Sequence, residues 1–518
     1  MDEKYKTHKW MITLTVMTGA IMASIDTSII NVALPYMRGS LGCSAEEIAW
    51  VSTGYILSNV LIMPLIAMIS SKFGRKNFFI FCVLLFTFAS ILCGIAWDIS
   101  SMVTFRIIQG IGGGALIPVS QAILRETFPP EEQAMAMAIY GLGVIMGPAF
   151  GPTLGGWLTD NYSWPWIFYF KAPIGIANIF LVMKFIQDPP FLVREKGPFD
   201  FIGIFLMTVG LGALQIMLAQ GEQYDWFASD YITFLAVTAG IGLIFFIWRE
   251  LIVDKPAVDL WIFRDLNFAS ATLLASTLSM CLFGSLFLLP LLLQQLLNYP
   301  ALDSGLALLP RTIAMAVTMP ISGILYNRIG PRWLIGSGLV LNVVSFYQFS
   351  CLSIAIGYWD LFFPQVLQGL GFGLIFVALS TAALAHIEKR YMTAASGLYN
   401  VTRQVFASIG IALSATLLTR GESWHRIVLM KHINVFTDKA SEIIQLLSSY
   451  FYSRGMDDVG AHNAGLKVLE GMVAKQASML SFNQVYLIMA VVFLLSIPLI
   501  FLVKNPKMTL TVDTNTQY

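Results

Sequence analysis

The sequence predicts an all-α membrane protein of fourteen transmembrane helices: two equivalent six-helix bundles with two further helices inserted between them. Three observations carry this. Hydrophobic residues make up 57% of the 518-residue chain and charged residues only 12%, about half the charge of a soluble domain. Mean hydropathy is +0.73, which leaves too little polar surface to coat a globule. Apolar runs of roughly 20 residues, the length that crosses a hydrocarbon core, recur along the whole chain, and motifs of the fourth run return in the twelfth.

The runs fall at 12–34, 48–70, 78–97, 101–124, 134–158, 165–187, 200–220, 231–251, 267–292, 304–326, 333–355, 359–384, 394–419 and 483–504. The first is too long for a signal peptide and lacks a small-residue cleavage site, so it is expected to stay as a helix. Lys and Arg alternate between short loops. One set carries Lys72, Arg75, Lys76, Arg125, Lys184, Arg194, Lys196, Arg249, Lys255, Arg264, Arg328, Arg332, Lys389 and Arg390. The other set carries Arg38 and otherwise acids such as Glu46, Asp98, Asp160, Asp225 and Asp360. The first set is expected in the cytoplasm. An even helix count then puts both termini there, with Lys4, Lys6, Lys9, Lys504 and Lys507, and puts segment 420–482 outside.

An internal repeat organises the runs. Phe105-Arg-Ile-Ile-Gln-Gly-Ile-Gly-Gly-Gly matches Pro364-Gln-Val-Leu-Gln-Gly-Leu-Gly-Phe-Gly, and Ser71-Lys-Phe-Gly-Arg-Lys matches Asn327-Arg-Ile-Gly-Pro-Arg. Both echoes are eight runs apart, so runs 1–6 and 9–14 are equivalent and runs 7–8 are an insertion. The expected division is residues 1–190 for the first bundle, 191–262 for the inserted pair, 263–504 for the second bundle with its outer segment 420–482, and 505–518 for a cytoplasmic tail. Parallel six-helix repeats are an architecture of alternating-access carriers.

Ionisable residues inside the membrane are costly and point to function. Asp26 stands alone among carboxylates deep in a span, and a carboxyl that cycles a proton is what proton coupling requires. At a rise of about 1.5 Å per residue, Asp26, about nine residues from the outer end of its run, lies near the level of Arg106 and Lys171, about five and six residues down theirs. Asp26 and Arg106 are therefore the candidates for proton coupling. The candidates for a substrate cavity are Asp26, Asn31, Gln109, Lys171, Gln368, Asn400 and Arg403. Lys171 has the alternative of snorkelling outward, Arg403 that of an interhelix hydrogen-bonding post, and Arg311, near the outer start of its run, is expected to snorkel.

Run 5 holds Gly143, Gly147, Gly151, Pro148 and Pro152 in one motif; such small residues permit close backbone approach and suit a rocking interface between the bundles. The loop residues Lys72, Gly74 and Arg75 offer cations to Glu126, Glu131 or Glu132 as a cytoplasmic latch. Segments 438–452 and 464–480 read as amphipathic, with Ile443, Ile444, Leu447 and Phe451 on one face of the first. Other functions lack their residues. No Gly-x-x-x-x-Gly-Lys-Ser/Thr loop supports a primary pump. The five histidines, His8, His386, His425, His432 and His462, lie at run ends or in loops and suggest no catalytic set. Cys43, Cys82, Cys93, Cys281 and Cys351 have no metal-ligand spacing, so neither an enzyme nor a metal site is expected.

These motifs resemble the fourteen-helix drug:proton antiporters of the major facilitator superfamily. The likeness spans nearly the whole chain. It rests on Asp26-Thr-Ser-Ile-Ile-Asn-Val-Ala-Leu-Pro, Arg106-Ile-Ile-Gln-Gly, Gly147-Pro-Ala-Phe-Gly-Pro, Trp164-Pro-Trp-Ile-Phe, Leu214-Gln-Ile-Met-Leu, Val258-Asp-Leu-Trp-Ile-Phe and Asn400-Val-Thr-Arg-Gln. The resemblance implies the major facilitator fold, export driven by the proton gradient with no cofactor, and a place in the bacterial inner membrane. It also implies a tripartite pump with a periplasmic adaptor (EmrA-like) and an outer-membrane channel (TolC-like). A narrow-range exporter of one metabolite or fatty acid shares all these features. The chain departs from the family pattern at Ala67 and Ser71, where Gly and Asp are usual, and at Lys171, where Asn is usual.

Overall fold

In hydrocarbon every backbone amide must be satisfied within its own segment, so the apolar runs have to be helices. The computed structural model describes residues 3–188, 200–253, 256–431 and 438–504, and no β-strand occurs among them. The 505–518 tail and the basic loop residues Arg194, Lys196, Lys255 and Lys507 lie outside the described residues. Among the described residues, fourteen helices are long and apolar enough to span a membrane. In the first bundle these are α1 (Lys9–Leu41), α2 (Ala45–Phe73), α3 (Arg75–Gly94), α4 (Ile99–Thr127), α5 (Gln133–Asn161) and α6 (Trp166–Phe185). The inserted pair is α7 (Phe201–Gln220) and α8 (Asp230–Ile252). The second bundle comprises α9 (Leu266–Leu296), α10 (Asp303–Ile329), α11 (Pro331–Ser350), α12 (Tyr358–Ala383), α13 (Lys389–Lys431) and α14 (Asp458–Leu502).

The repeat is visible in the packing. α4 and α12, which carry the matched glycine motifs, are the most enclosed spans, each 78% buried over its most apolar window. The turns α2–α3 and α10–α11 are built alike on Gly74 and Gly330, with φ of 85° and 82°, a left-handed region that disfavours other residues. Around Gly74 there is also no room: a Cβ would lie 2.5 Å from Asp188 Oδ2. Asp188 itself accepts from the Lys76 backbone amide at 2.8 Å, which pins the first turn to the end of α6. Arg332 pins the second turn to the end of α14, donating to the Val503 carbonyl at 2.6 Å. The first and last described stretches of the chain meet this face of the bundles, called here the terminal face; the opposite one is the distal face.

The inserted helices cross closely where Gly210 meets Gly242. Asp200 caps α7 and takes Arg249 of α8 in a forked pair, with Nη2 to Oδ1 at 2.8 Å. Burial there opposes ionisation, but the Arg249 hydrogen bonds outweigh it and hold the Asp200 carboxyl below its usual range. The pair leans on the groove between the bundles: Gln215 Nε2 donates to Ser408 Oγ of α13 at 2.5 Å, and Trp226 Nε1 to Thr416 Oγ1 at 2.8 Å.

Two expectations are corrected. The motif glycines of α5 do not line an interface between bundles, although Gly141, just before them, faces Met319 and Phe376 of the second bundle. Gly143 faces Met17, Gly147 faces Ser24, Gly151 faces Ser28 and Gly155 faces Ile29, all on α1 of the same bundle. Each missing side chain lets α1 sit against α5, and Ser28 Oγ donates to the Gly147 carbonyl at 2.7 Å. Pro148 and Pro152 stand within the same continuous helix. The helices also run further than expected into segment 420–482, the outer part of the second bundle. α13 and α14 run on past the bundle, and a helix at Asp438–Ser453 packs along α14. Ile444, Leu447 and Phe451 lie half-buried, while Ile443 is exposed.

Replacing Gly147 with Ala drives a Cβ into the Ser24 backbone, whereas at Gly240 a Cβ meets nothing within 4 Å. Overpacking of this kind costs about 1–3 kcal/mol. Gly147→Ala is therefore expected to lower the melting temperature in detergent and Gly240→Ala to leave it unchanged; equal melting of the two variants would refute the seating of α1 on α5.

Candidate functional site

Three spans converge on one carboxylate. The break in α6 after Trp164-Pro-Trp lets Lys171 start a fresh helical stretch, pointing into the bundle near the middle of α1. Lys171 Nζ pairs with Asp26 Oδ1, and Arg106 Nη1 of α4 meets Asp26 Oδ2 at 2.5 Å. One turn on, Gln109 bridges the group: its Oε1 accepts from Arg106 Nη1 at 2.7 Å and its Nε2 donates to Asp26 Oδ1 at 3.2 Å. Arg106 Nε is held by the Val51 carbonyl of α2 at 3.0 Å. All four side chains are at most 1% exposed.

Aromatic rings close the cluster. The Arg106 guanidinium lies 4.3 Å from the Tyr55 ring centroid, and the Lys171 ammonium 5.0 Å from that of Phe168. Such faces carry negative charge density and favour cations. Two cations share one carboxylate, so the fully ionised cluster holds one excess positive charge away from water. Arg106 Nη2 has no hydrogen-bond partner. The arrangement is thus tight yet electrostatically unbalanced, as suits a group of side chains that exchanges partners.

The sequence candidates divide by place. Asp26, Arg106, Gln109 and Lys171 meet here; Lys171 does not snorkel. Asn31, further along α1, is exposed and outside the cluster. Gln368 belongs to a separate cluster in the second bundle, where it accepts from Arg311 Nη1 at 3.0 Å. Arg311 is 3% exposed, contrary to the expected snorkelling, because its side chain turns inward onto α12. Arg403 is half-buried, with Nε on Ser279 Oγ at 3.0 Å and its guanidinium near the rings of Phe376 and Tyr399. Tyr55 went unnoticed in the sequence; its only signal is the polar patch Tyr55, Ser58 and Asn59 within an apolar run.

Asn400 does not face a cavity. Its Nδ2 donates across the bundles to Gln121 Oε1 at 2.6 Å. Close by, Ser396 Oγ donates to the Pro118 carbonyl at 2.9 Å, Arg125 Nη2 to the Thr381 carbonyl at 3.0 Å and Asn327 Nδ2 to the Glu131 carbonyl at 2.5 Å. Among the described residues these bonds join the bundles only in the half nearer the terminal face, so the bundles are sealed there. Beneath the seal, Arg75 is ion-paired to Glu126 at the end of α4, and Lys72 lies in the last turn of α2. Of the other acids offered to this loop, Glu132 takes Lys9 instead, at 2.5 Å, and Glu131 contributes its carbonyl to Asn327. Ser71 Oγ turns back to the Met68 carbonyl at 2.9 Å.

Two repeated six-helix bundles sealed against each other on one face make the frame of a membrane transporter. The chain belongs to the Major Facilitator Superfamily, whose pattern it matches over residues 16–411. It is 33% identical to the fatty acid resistance protein FarB of Neisseria gonorrhoeae, over 96% of both chains. It is 32% identical to the multidrug export protein EmrB of Escherichia coli K12, over 96% of this chain and 95% of that one. Among solved structures, the human organic anion transporter MFSD10 superposes with a TM-score of 0.57 at 14% identity, covering 94% of this chain and 99% of the other. That likeness is one of fold.

Breaking a buried ion pair from one side costs roughly 3–5 kcal/mol, because a charge is left unpaired. Asp26→Asn strands two cations, whereas Lys171→Met leaves Asp26 with Arg106. Asp26→Asn is expected to lower the melting temperature much further than Lys171→Met; similar losses would show that the carboxylate is not the shared counter-charge.

Proposed function

We propose that this protein exports hydrophobic toxic compounds across a bacterial inner membrane in exchange for protons, by alternating access, with both termini in the cytoplasm. The observation that carries the coupling is the shared carboxylate. Ionised Asp26 ties α1 to α4 through Arg106 and to α6 through Lys171. A proton on Asp26 removes the only counter-charge in the cluster. Arg106 and Lys171 then repel each other and seek other partners, which loosens the first bundle. Gln109 follows the proton, since its amide donates to the carboxylate and accepts from Arg106. The gradient supplies the energy, and no bound cofactor is needed.

The terminal-face seal is the cytoplasmic gate on this reading. Loss of the Asn400–Gln121 and Arg125–Thr381 bonds opens it, and the Arg75–Glu126 pair steadies α3 against α4 as it moves. Export of drugs is supported by the relatives named for multidrug export and fatty acid resistance. A partner is supported by the helical projection on the distal face, which exposes Trp424, Ile427, Leu446, Tyr450, Val459 and Met472. So much apolar surface suits an EmrA-like periplasmic adaptor leading to a TolC-like outer-membrane channel. A narrower cargo, such as a fatty acid, is the second reading. The excess positive charge supplied by Lys171 favours it, as does the name of FarB.

The test is efflux of a lipophilic cationic dye and of an uncoupler-type weak acid from cells expressing wild type or Asp26→Asn at matched levels. Wild type is expected to extrude at least one compound in a gradient-dependent manner and the variant neither. Intact efflux by the variant would move coupling away from Asp26. Failure of wild type to move either compound, with its adaptor supplied, would leave only the narrow cargo.

A further inference from the structure

The two bundles hold matching polar clusters of opposite electrical character. One sequence offset carries Asp26 onto Ser285, Arg106 onto Gln365, Gln109 onto Gln368 and Gly110 onto Gly369. Gln368 repeats the bridging geometry of Gln109. Its Oε1 accepts from a guanidinium, Arg311 Nη1, at 3.0 Å, and its Nε2 donates to Ser285 Oγ at 3.2 Å. The cation has changed helix. Arg311 stands on α10, the counterpart of α2, with its backbone against Gly369 as the backbone of Tyr55 lies against Gly110. The carboxylate has vanished, because serine replaces aspartate.

Arg311 is therefore a buried cation whose partners are an amide and, at 3.4 Å, the Ser285 hydroxyl. Among the described residues no carboxylate forms an ion pair with it. A charge so placed is costly unless something neutralises it. Further groups stand ready nearby. Gln365 is fully buried with neither amide atom partnered, one turn from Gln368 on the same helix face. The Tyr486 hydroxyl of α14 is also buried and unpartnered, and it feels the guanidinium charge. A carboxylate can take the charged guanidinium together with amide and hydroxyl donors. Apolar rings adjoin it: Phe349 and Phe346 stack on Tyr486 at 5.0 and 6.3 Å.

We propose that Arg311, with Ser285, Gln365, Gln368 and Tyr486, binds the carboxylate of an amphipathic monoanion in the second bundle. The assignment of that anion as cargo rests on the exporter reading above; the site itself does not. One bundle carries its own counter-charge for the proton cycle, and the other borrows its counter-charge from the ligand.

Binding of radiolabelled decanoate to the purified full-length protein tests this without any gradient, so the Asp26 efflux result and this one can fail separately. Decanamide, its neutral analogue, and chloride serve as comparators. Arg311→Gln is expected to weaken decanoate binding about tenfold or more and to leave decanamide binding unchanged. Ser285→Asp supplies the missing carboxylate from the protein. It is expected to abolish decanoate binding while raising the melting temperature, which separates loss of the site from loss of the fold. Wild-type decanoate affinity in either variant would overturn the proposal. So would displacement of decanoate by chloride at equal concentration, which would make the ligand a simple inorganic counter-ion.

Discussion

A charge inside hydrocarbon must find its opposite, and in this molecule one carboxylate serves two cations. Asp26 receives Arg106 from α4 and Lys171 from α6, and those contacts tie together three helices that hydropathy alone would let rotate freely. Much of the first bundle is arranged to serve that group. The α5 glycines bring α1 close and fix its rotation, the Trp-Pro-Trp break starts α6 at the right depth, and the rings of Tyr55 and Phe168 exclude water from the cations. The packing of three helices thus depends on one electrostatic balance.

The second bundle inherits the frame without the balance. Gln368 keeps the bridging role of Gln109, and Gly369 keeps the close helix approach of Gly110. The two bundles share these backbone contacts and differ in their charges. The seal on the terminal face, by contrast, is made of neutral side chains and carbonyls, apart from Arg125. Neutral hydrogen bonds contribute about 1 kcal/mol each, so no single bond holds the seal shut.

Much of this was legible in the sequence. Length and apolarity placed the spans, the glycine motifs gave the repeat, and depth alone brought Asp26, Arg106 and Lys171 to one level. What the sequence hid was rotation about each helix axis. A span surrounded by lipid and protein is apolar on every side, so its pattern does not say which face turns inward. For that reason Arg311 was expected at the lipid boundary, the α5 glycines between the bundles, and Asn400 in a cavity. The continuity of segment 420–482 with α13 and α14 was hidden for another reason: polar and apolar stretches of one long helix look like separate elements when read by hydropathy.

That continuity has a mechanical meaning. The last helix runs unbroken from Asp458 to Ser496, and its projecting part, taken as about 25 residues at 1.5 Å each, is about 38 Å long. A tilt of about 10° would move the tip of such a rod by about 7 Å. The projection is therefore a lever arm: any lean of the second bundle would be magnified at its far end.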